Sequence, residues 1–153
     1  MESIEGNFEH PKVNELLIKH FKELKSVSPE GSAHVLDIPG LKVSSIKFWS
    51  IWDEDTLIGC GALKFLDKYH GEFKSIRVID DFRKKGYGFK IINHLIQEAK
   101  KLNIKKLSLE TGSGIFFIPA RKLFEKVGFK KCAPFAHYKE DTNSFYMSLD
   151  LKN

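Results

Sequence analysis

Arg83-Lys84-Lys85-Gly86-Tyr87-Gly88 packs a guanidinium, two ammonium groups and two glycines into six residues. It stands between a strand-like run, Phe73 to Ile79, and a long amphipathic segment that begins near Gly86. The start of a helix offers unpaired N–H groups and a partial positive charge. Glycine lets a ligand approach the backbone with no Cβ in the way. The chemistry is therefore anion binding, with phosphate or pyrophosphate as the natural occupant. Two familiar phosphate motifs are excluded, since the chain has neither the three glycines of GxGxxG nor a GxxxxGK[ST] loop. Two carboxylates complete the set: Glu72 opens the strand before the motif, and Glu110 closes the strand after the following helix. Two carboxylates facing one cleft raise one pKa and attract a cationic amine.

The elements that would hold these residues follow from periodicity. Glu2 to Gly6 reads as a short first strand. Pro11 to Leu24 reads as a helix, because Val13, Leu16, Leu17, His20, Phe21 and Leu24 recur at helical spacing and Pro11 suits a first turn. Ser26 to Ser45 is the least patterned stretch, holding either a second short helix or a substrate-facing loop. Ile46 to Trp52 and Leu57 to Leu66 read as a hairpin turned at Asp53–Thr56. Phe73 to Ile79 is the next antiparallel strand. The segment from Gly86 to Leu102 is the clearest helix, with Ile91, Ile92, Leu95, Ile96, Ala99 and Leu102 forming one apolar stripe. Lys106 to Thr111 is a strand, and Pro119 to Val127 a helix capped by Gly128. Phe129 to Ala136 and Ser144 to Leu151 are closing strands. Trp49 and Trp52 fall on opposite faces of their strand, with one expected in the core. The fold class is α/β (α+β), a mixed, mostly antiparallel sheet of six to seven strands with helices on both faces.

The chain of 153 residues suits a single domain, 1–153. Its net charge of +5 is compatible with a polyanion, a membrane surface or an anionic small molecule. The basic residues are spread along the chain, and Lys100, Lys101, Lys105 and Lys106 flank one helix end, where cations stabilise the dipole. Cys60 and Cys132 lack CxxC spacing and read as buried free thiols in strands. The six histidines lack metal-ligand spacing, so no metal is expected. His34 and His70 border the cleft or face solvent, the latter being favoured. No signal-like or membrane-length apolar run is seen, so a cytoplasmic location is expected.

Arg83-x-x-Gly86-x-Gly88 resembles the acyl-CoA-binding signature of the GNAT superfamily of N-acetyltransferases. Three further segments fall in that family's order. Glu72-Phe73-Lys74-Ser75-Ile76-Arg77-Val78 resembles its central strand, and Leu107-Ser108-Leu109-Glu110-Thr111 the next. Ala120-Arg121-Lys122-Leu123-Phe124-Glu125-Lys126-Val127-Gly128-Phe129 resembles its A-x-x-L-Y-x-x-x-G-F block. The run from Pro134 to Met147 resembles a largely uncharacterised bacterial branch. The resemblance covers about Thr56 to Leu151. It implies acetyl-CoA as co-substrate, with the backbone of residues 83–88 around the pyrophosphate, including Arg83, Lys84, Lys85, Gly86, Tyr87 and Gly88. Ile76, Arg77 and Val78 would pair with the pantetheine arm, and the Val78 N–H would face the oxyanion. Phe124 would lie beside the thioester.

Glu72 is the candidate base by the family's habit, with Glu110 as the second candidate. The sequence departs from the family where the usual general-acid Tyr is replaced by Phe124, and where Phe117 replaces an Asn. A thiolate leaves without full protonation, or Tyr138 supplies the proton from another strand; a plain sheet role for Tyr138 is favoured. Arg77 binds a substrate carboxylate or pairs with Glu72 or Glu110, the ion pair being favoured. The expected activity is acetyl transfer to a primary amine of a small molecule, amino-acid-like if Arg77 meets a carboxylate, by direct attack in a ternary complex. Acetylation of a protein lysine or N-terminus, and a non-catalytic acyl-CoA sensor, are the alternatives. Nothing resembles a nucleic-acid-binding module. Monomer and homodimer both remain open.

Overall fold

The computed structural model describes residues 1–29, 31, 34–83 and 85–151. Lys84, one of the candidate phosphate ligands, lies outside them. Strand β1 (Glu2–Glu5) is followed by helix α1 (Pro11–Val27), a short helix α2 (Ile38–Leu41), β2 (Ile46–Asp53), β3 (Thr56–Phe65) and β4 (His70–Val78). Helix α3 (Tyr87–Lys101), β5 (Lys106–Gly112), α4 (Ile118–Val127), β6 (Lys130–Lys131) and β7 (Ser144–Asp150) complete the chain. The order in the sheet is β1-β2-β3-β4-β5-β7-β6. Every neighbouring pair is antiparallel except β4–β5. No helix among the described residues is long and apolar enough to cross a membrane.

Local chemistry sets the element ends. The His10 side chain accepts the Lys12 N–H at the start of α1, with Pro11 in its first turn. Asp37 Oδ1 accepts the Gly40 N–H and caps α2. Gly128, at φ 113°, closes α4 in the left-handed region that glycine adopts without strain. The β2–β3 hairpin turns through Glu54 and Asp55, with Glu54 at φ 54°.

Helices cover both faces of the sheet. On one, Val13, Leu16, Leu17 and Leu41 pack against Phe48, Trp52, Leu57, Cys60 and Ala62. On the other, Ile91, Ile92, Leu95, Ile96 and Ala99 of α3 and Phe124 of α4 pack against Trp49, Ile51, Ile58, Leu63, Leu107 and Leu109. Each such aliphatic side chain contributes roughly 1.5–3 kcal/mol on burial. Trp49 and Trp52 do fall on opposite faces, but both are buried, because both faces are covered.

Two features of the sheet shape the site. β4 and β5 pair only at His70–Lys106, Gly71–Leu107 and Glu72–Ser108, and then separate. In addition, β4 carries a bulge: Lys74 faces Ala62 and Arg77 faces Cys60, so three steps along β4 match two along β3. Ser75 sits in the bulge at φ 54°, and its carbonyl accepts the Cys60 Sγ–H at 3.2 Å.

The closing strand is far shorter than the expected Phe129 to Ala136. Only Lys130–Lys131 pairs as a strand, and Cys132 adds one last bond to Tyr146 O. Pro134 then offers no donor, and Ala136 turns the chain at φ 52°. Cys132 is consequently half-buried beyond the strand. The turn sends Phe135 and Tyr138 back across the sheet.

Candidate active site

Where β4 and β5 part, the backbone of β4 loses its neighbour. Ile79 donates its N–H to Ile58 O at 2.9 Å, on the β3 side. Alternation therefore turns the Val78 N–H to the other side, into the gap. A cavity of about 140 Å³ occupies this gap. β4 and β5 form its sides. Phe117, Ala120 and Phe124 line it near α4, and His20, Leu24, Ser28, His34 and Val35 near α1.

The bulge puts polar side chains on the α1 face. Phe73, Ile76 and Val78 pack into the α3 layer, whereas Glu72 and Lys74 face the cavity and Arg77 faces α1. The Glu72 carboxylate is 1% exposed. Its Oε2 accepts the Tyr138 hydroxyl at 2.6 Å and a Lys74 Nζ–H at 3.3 Å, while no group among the described residues pairs with its Oε1. Lys74 Nζ also reaches the Tyr138 oxygen at 3.1 Å. Glu110 lines the same cavity from β5. Burial, opposed by the Lys74 ammonium and reinforced by Glu72, lifts its pKa from 4.5 to about 7. Glu72 and Glu110 thus line one space, and Tyr138 joins them through its hydrogen bond to Glu72. Tyr138 enters on a loop rather than a strand. Burial first, then the Glu72 charge, raises its hydroxyl well above the usual phenol range. Such a hydroxyl donates a hydrogen bond and holds its proton.

Aromatic rings close this side. Tyr138 packs on Phe135, His137, Tyr146 and His34 with centroids 5.0–5.6 Å apart. His34 therefore borders the cavity instead of facing solvent. His70 is hydrogen-bonded to Ser108 Oγ at 2.6 Å and is partly buried.

Arg77 is paired differently from either expectation. Its guanidinium is 4% exposed and makes a two-pronged contact with Glu23 of α1, at 2.9 and 3.1 Å, and a third with Asp80 at 3.3 Å. The bulge turns it to the α1 face that Glu72 shares, where its partners are Glu23 and Asp80 rather than Glu72 or Glu110. Arg83 joins the same group, with Nε 3.3 Å from Asp80 Oδ1 and a longer contact to Glu23.

At the α3 N-terminus, Gly86 is the cap residue at φ 82°. A Cβ there would be strained by conformation although it would touch nothing. Gly88 has the opposite reason to be glycine: a Cβ would lie 2.6 Å from Leu123 Cδ2 of α4. The Tyr87 ring packs edge-on against Phe82 at 5.1 Å, and Lys85 is exposed. No acidic residue occupies the first turn of α3, so its positive end is open to an anion. Among the described residues no group of three His, Cys, Asp or Glu could hold a metal ion.

Sequence reasoning missed Glu23, Lys74, Ser75 and His20. A histidine within the apolar stripe of α1 was the available signal for His20. The bulge that places Ser75 has no signature in a single sequence.

Comparison with known proteins agrees with this geometry. Residues 12–129 match the model of the acetyltransferase (GNAT) family. An uncharacterized N-acetyltransferase of Bacillus subtilis, YsnE, is 46% identical over 92% of this chain and 93% of its own. An uncharacterized N-acetyltransferase of Escherichia coli, YedL, is 39% identical over 93% of this chain and 89% of its own. A B. subtilis acetyltransferase crystallised with CoA superposes with a TM-score of 0.73 at 21% identity, covering 99% of both chains. The chain belongs to the acetyltransferase (GNAT) family and is an acyltransferase.

Proposed function

We propose that the protein transfers the acetyl group of acetyl-CoA to a primary amine of a small molecule, by direct attack with both substrates bound. The observation that carries this reading is the parting of β4 from β5 after Glu72, which leaves a gap lined by Glu110, whose pKa is raised. An extended pantetheine arm fits such a gap as an added strand along Ile76 to Val78. The α3 N-terminus, with Gly86, Tyr87, Gly88 and Lys85, suits the pyrophosphate, and Arg83 adds its charge on leaving Asp80. The CoA-bound B. subtilis structure of the same fold supports this choice of co-substrate.

The two sides of the gap then have separate tasks. Acetyl-CoA enters beside α3 and α4, and the amine enters beside α1. The small cavity and its aromatic cover favour a small acceptor over a protein lysine. An alkyl ammonium has a pKa of about 10.4, so only roughly one in two thousand is neutral at pH 7. Glu110 is the better base of the two carboxylates. Its pKa near 7 places it where proton transfer is efficient, whereas Glu72 Oε2 is already engaged by Tyr138 and Lys74. Glu72 attracts the ammonium through its open Oε1. The Val78 N–H is aimed into the gap, where a single preorganised donor contributes roughly 3 kcal/mol to an oxyanion. Phe124 has no proton to give, and Tyr138 holds its own, so CoA departs as thiolate. That is feasible for a thiol of pKa about 8.5.

Thermal unfolding with acetyl-CoA, CoA or ATP tests the reading. Acetyl-CoA at about 100 times its Kd adds roughly 2.7 kcal/mol, or about 5–10 °C for a chain of this length. Release of free CoA with primary amines then demonstrates transfer. No shift with saturating acetyl-CoA refutes the assignment of the gap.

A further inference from the structure

His20 projects from α1 onto the cavity and is 5% exposed, yet no group among the described residues pairs with either ring nitrogen. Ser75 lines the same cavity from β4, held in the bulge at φ 54°, and no group among the described residues pairs with its buried Oγ. Buried polar groups are normally satisfied, and leaving one unpaired is destabilising. Two such residues lining one cavity mark a place prepared for a hydrogen-bonding guest. His20 also faces a particular electrostatic setting. Burial first, and then Arg77, lowers its pKa to about 4, with Glu23 opposing and Arg83 assisting. It is therefore neutral at physiological pH, one nitrogen donating and the other accepting.

The charges around the cavity narrow the guest further. Lys74 is the one lysine or arginine among the described cavity-lining residues, and it is already bonded to Glu72 and Tyr138. Arg77 lies on the α1 side and is committed to Glu23 and Asp80. Among the described cavity-lining residues no uncommitted cation is left to offset an acceptor carboxylate, and Glu72 and Glu110 would repel one.

We infer that His20 and Ser75 form a neutral recognition subsite for an uncharged polar group, a hydroxyl or an amide, carried by the acceptor amine. Acceptors with a carboxylate at that position are rejected. The inference rests on the acetyl-transfer reading of the cavity and replaces the amino-acid-like acceptor that Arg77 suggested.

The test compares four primary amines that differ only at the far end: 3-amino-1-propanol, 3-aminopropanamide, propylamine and 3-aminopropanoate. CoA release is followed with wild type, His20→Phe and His20→Gln. Wild type favours the hydroxyl or amide over propylamine by about tenfold in kcat/KM, the worth of one buried hydrogen bond, and turns over the carboxylate least. His20→Phe abolishes that preference and leaves the KM for acetyl-CoA unchanged, whereas His20→Gln, which still hydrogen-bonds, retains most of it. Ligand-free His20→Phe also unfolds at or above the wild-type temperature, since it removes an unpaired buried polar group. A merely structural His20 would lose stability in His20→Phe and leave the preference intact. That result overturns the inference, as does equal turnover of all four amines, no turnover of any, or preference for the carboxylate. Failure of acetyl-CoA to stabilise wild type would instead remove the underlying reading of the gap.

Discussion

Replacing Glu110 by Gln separates its two proposed properties, a buried charge and a base, in one variant. The carboxyl is raised from 4.5 to about 7 mainly by burial. A carboxyl with a raised folded-state pKa holds its proton more tightly in the native than in the unfolded state. Between pH 4.5 and 7 the unfolded chain therefore releases that proton first, and stability falls as pH rises. The penalty is absent below pH 4.5 and complete above about 7. At about 1.4 kcal/mol per pKa unit it amounts to about 3 kcal/mol. Glu110→Gln lacks the charge at every pH. It should match wild type in denaturant unfolding at pH 4.5 and exceed it by up to about 3 kcal/mol at pH 8. In a thermal melt at pH 8 that gain is about 6 °C or more. The same variant loses the base, so kcat/KM at pH 8 falls by about 10²–10⁴ and the ascending limb near pH 7 vanishes. Equal stability at both pH values would show that Glu110 carries no buried charge. An unchanged limb in a folded variant would show that another group takes the proton.

Other substitutions probe the frame of the site. Gly86→Val forces a β-branched residue to φ 82°, costing about 1–2 kcal/mol, and acetyl-CoA affinity by calorimetry should drop. Gly88→Ala meets Leu123 Cδ2, so it should destabilise the chain, and a second change, Leu123→Ala, should restore part of the loss in a melt. Glu23→Gln removes the main partner of the buried Arg77 and should cost about 3 kcal/mol. Arg77 holds the Glu23 pKa below its ordinary value, so that stabilisation is present above the ordinary carboxyl range and lost as pH falls through the lowered pKa; the variant's melting curve should be flatter in acid. Phe124→Tyr places a hydroxyl at the family's usual acid position. If thiolate departure is unaided, kcat should change by less than about tenfold, and a larger gain would show that proton supply limits the wild type.

The periodic parts of the fold were readable because each obeys one local rule. The stripe of α3, the α4 block ending in Gly128, and the β2–β3 hairpin are all set by side chains close in sequence. The glycines at the α3 start were readable too, although the structure divides their reasons between backbone conformation at Gly86 and packing at Gly88. What escaped were consequences of one inserted residue and of long-range contact. Strict alternation places Glu72 and Arg77 on opposite faces, and the bulge at Ser75 brings them to the same one. Arg77 then meets Glu23, 54 residues away in sequence. The run from Phe129 to Ala136 looked like a strand because its composition suits one. Pro134 and the turn at Ala136 removed its latter part from the sheet and carried Tyr138 to Glu72, 66 residues away.

The sheet is laid down almost in the order of synthesis. Residues 2–78 supply β1 to β4, residues 106–150 supply β5 to β7, and the chain passes between the two groups once, through α3. The apolar layer beneath α1 and α2 draws its buried members from residues 13–62, so it can close while the last third of the chain is still on the ribosome. The opposite layer must wait for Leu107, Leu109, Phe124, Phe129 and Met147. The gap between β4 and β5 exists only once both groups are in place. A truncated or stalled chain can therefore hold half a compact body with only one side of the cleft, which closes only when β5 and the elements after it are in place.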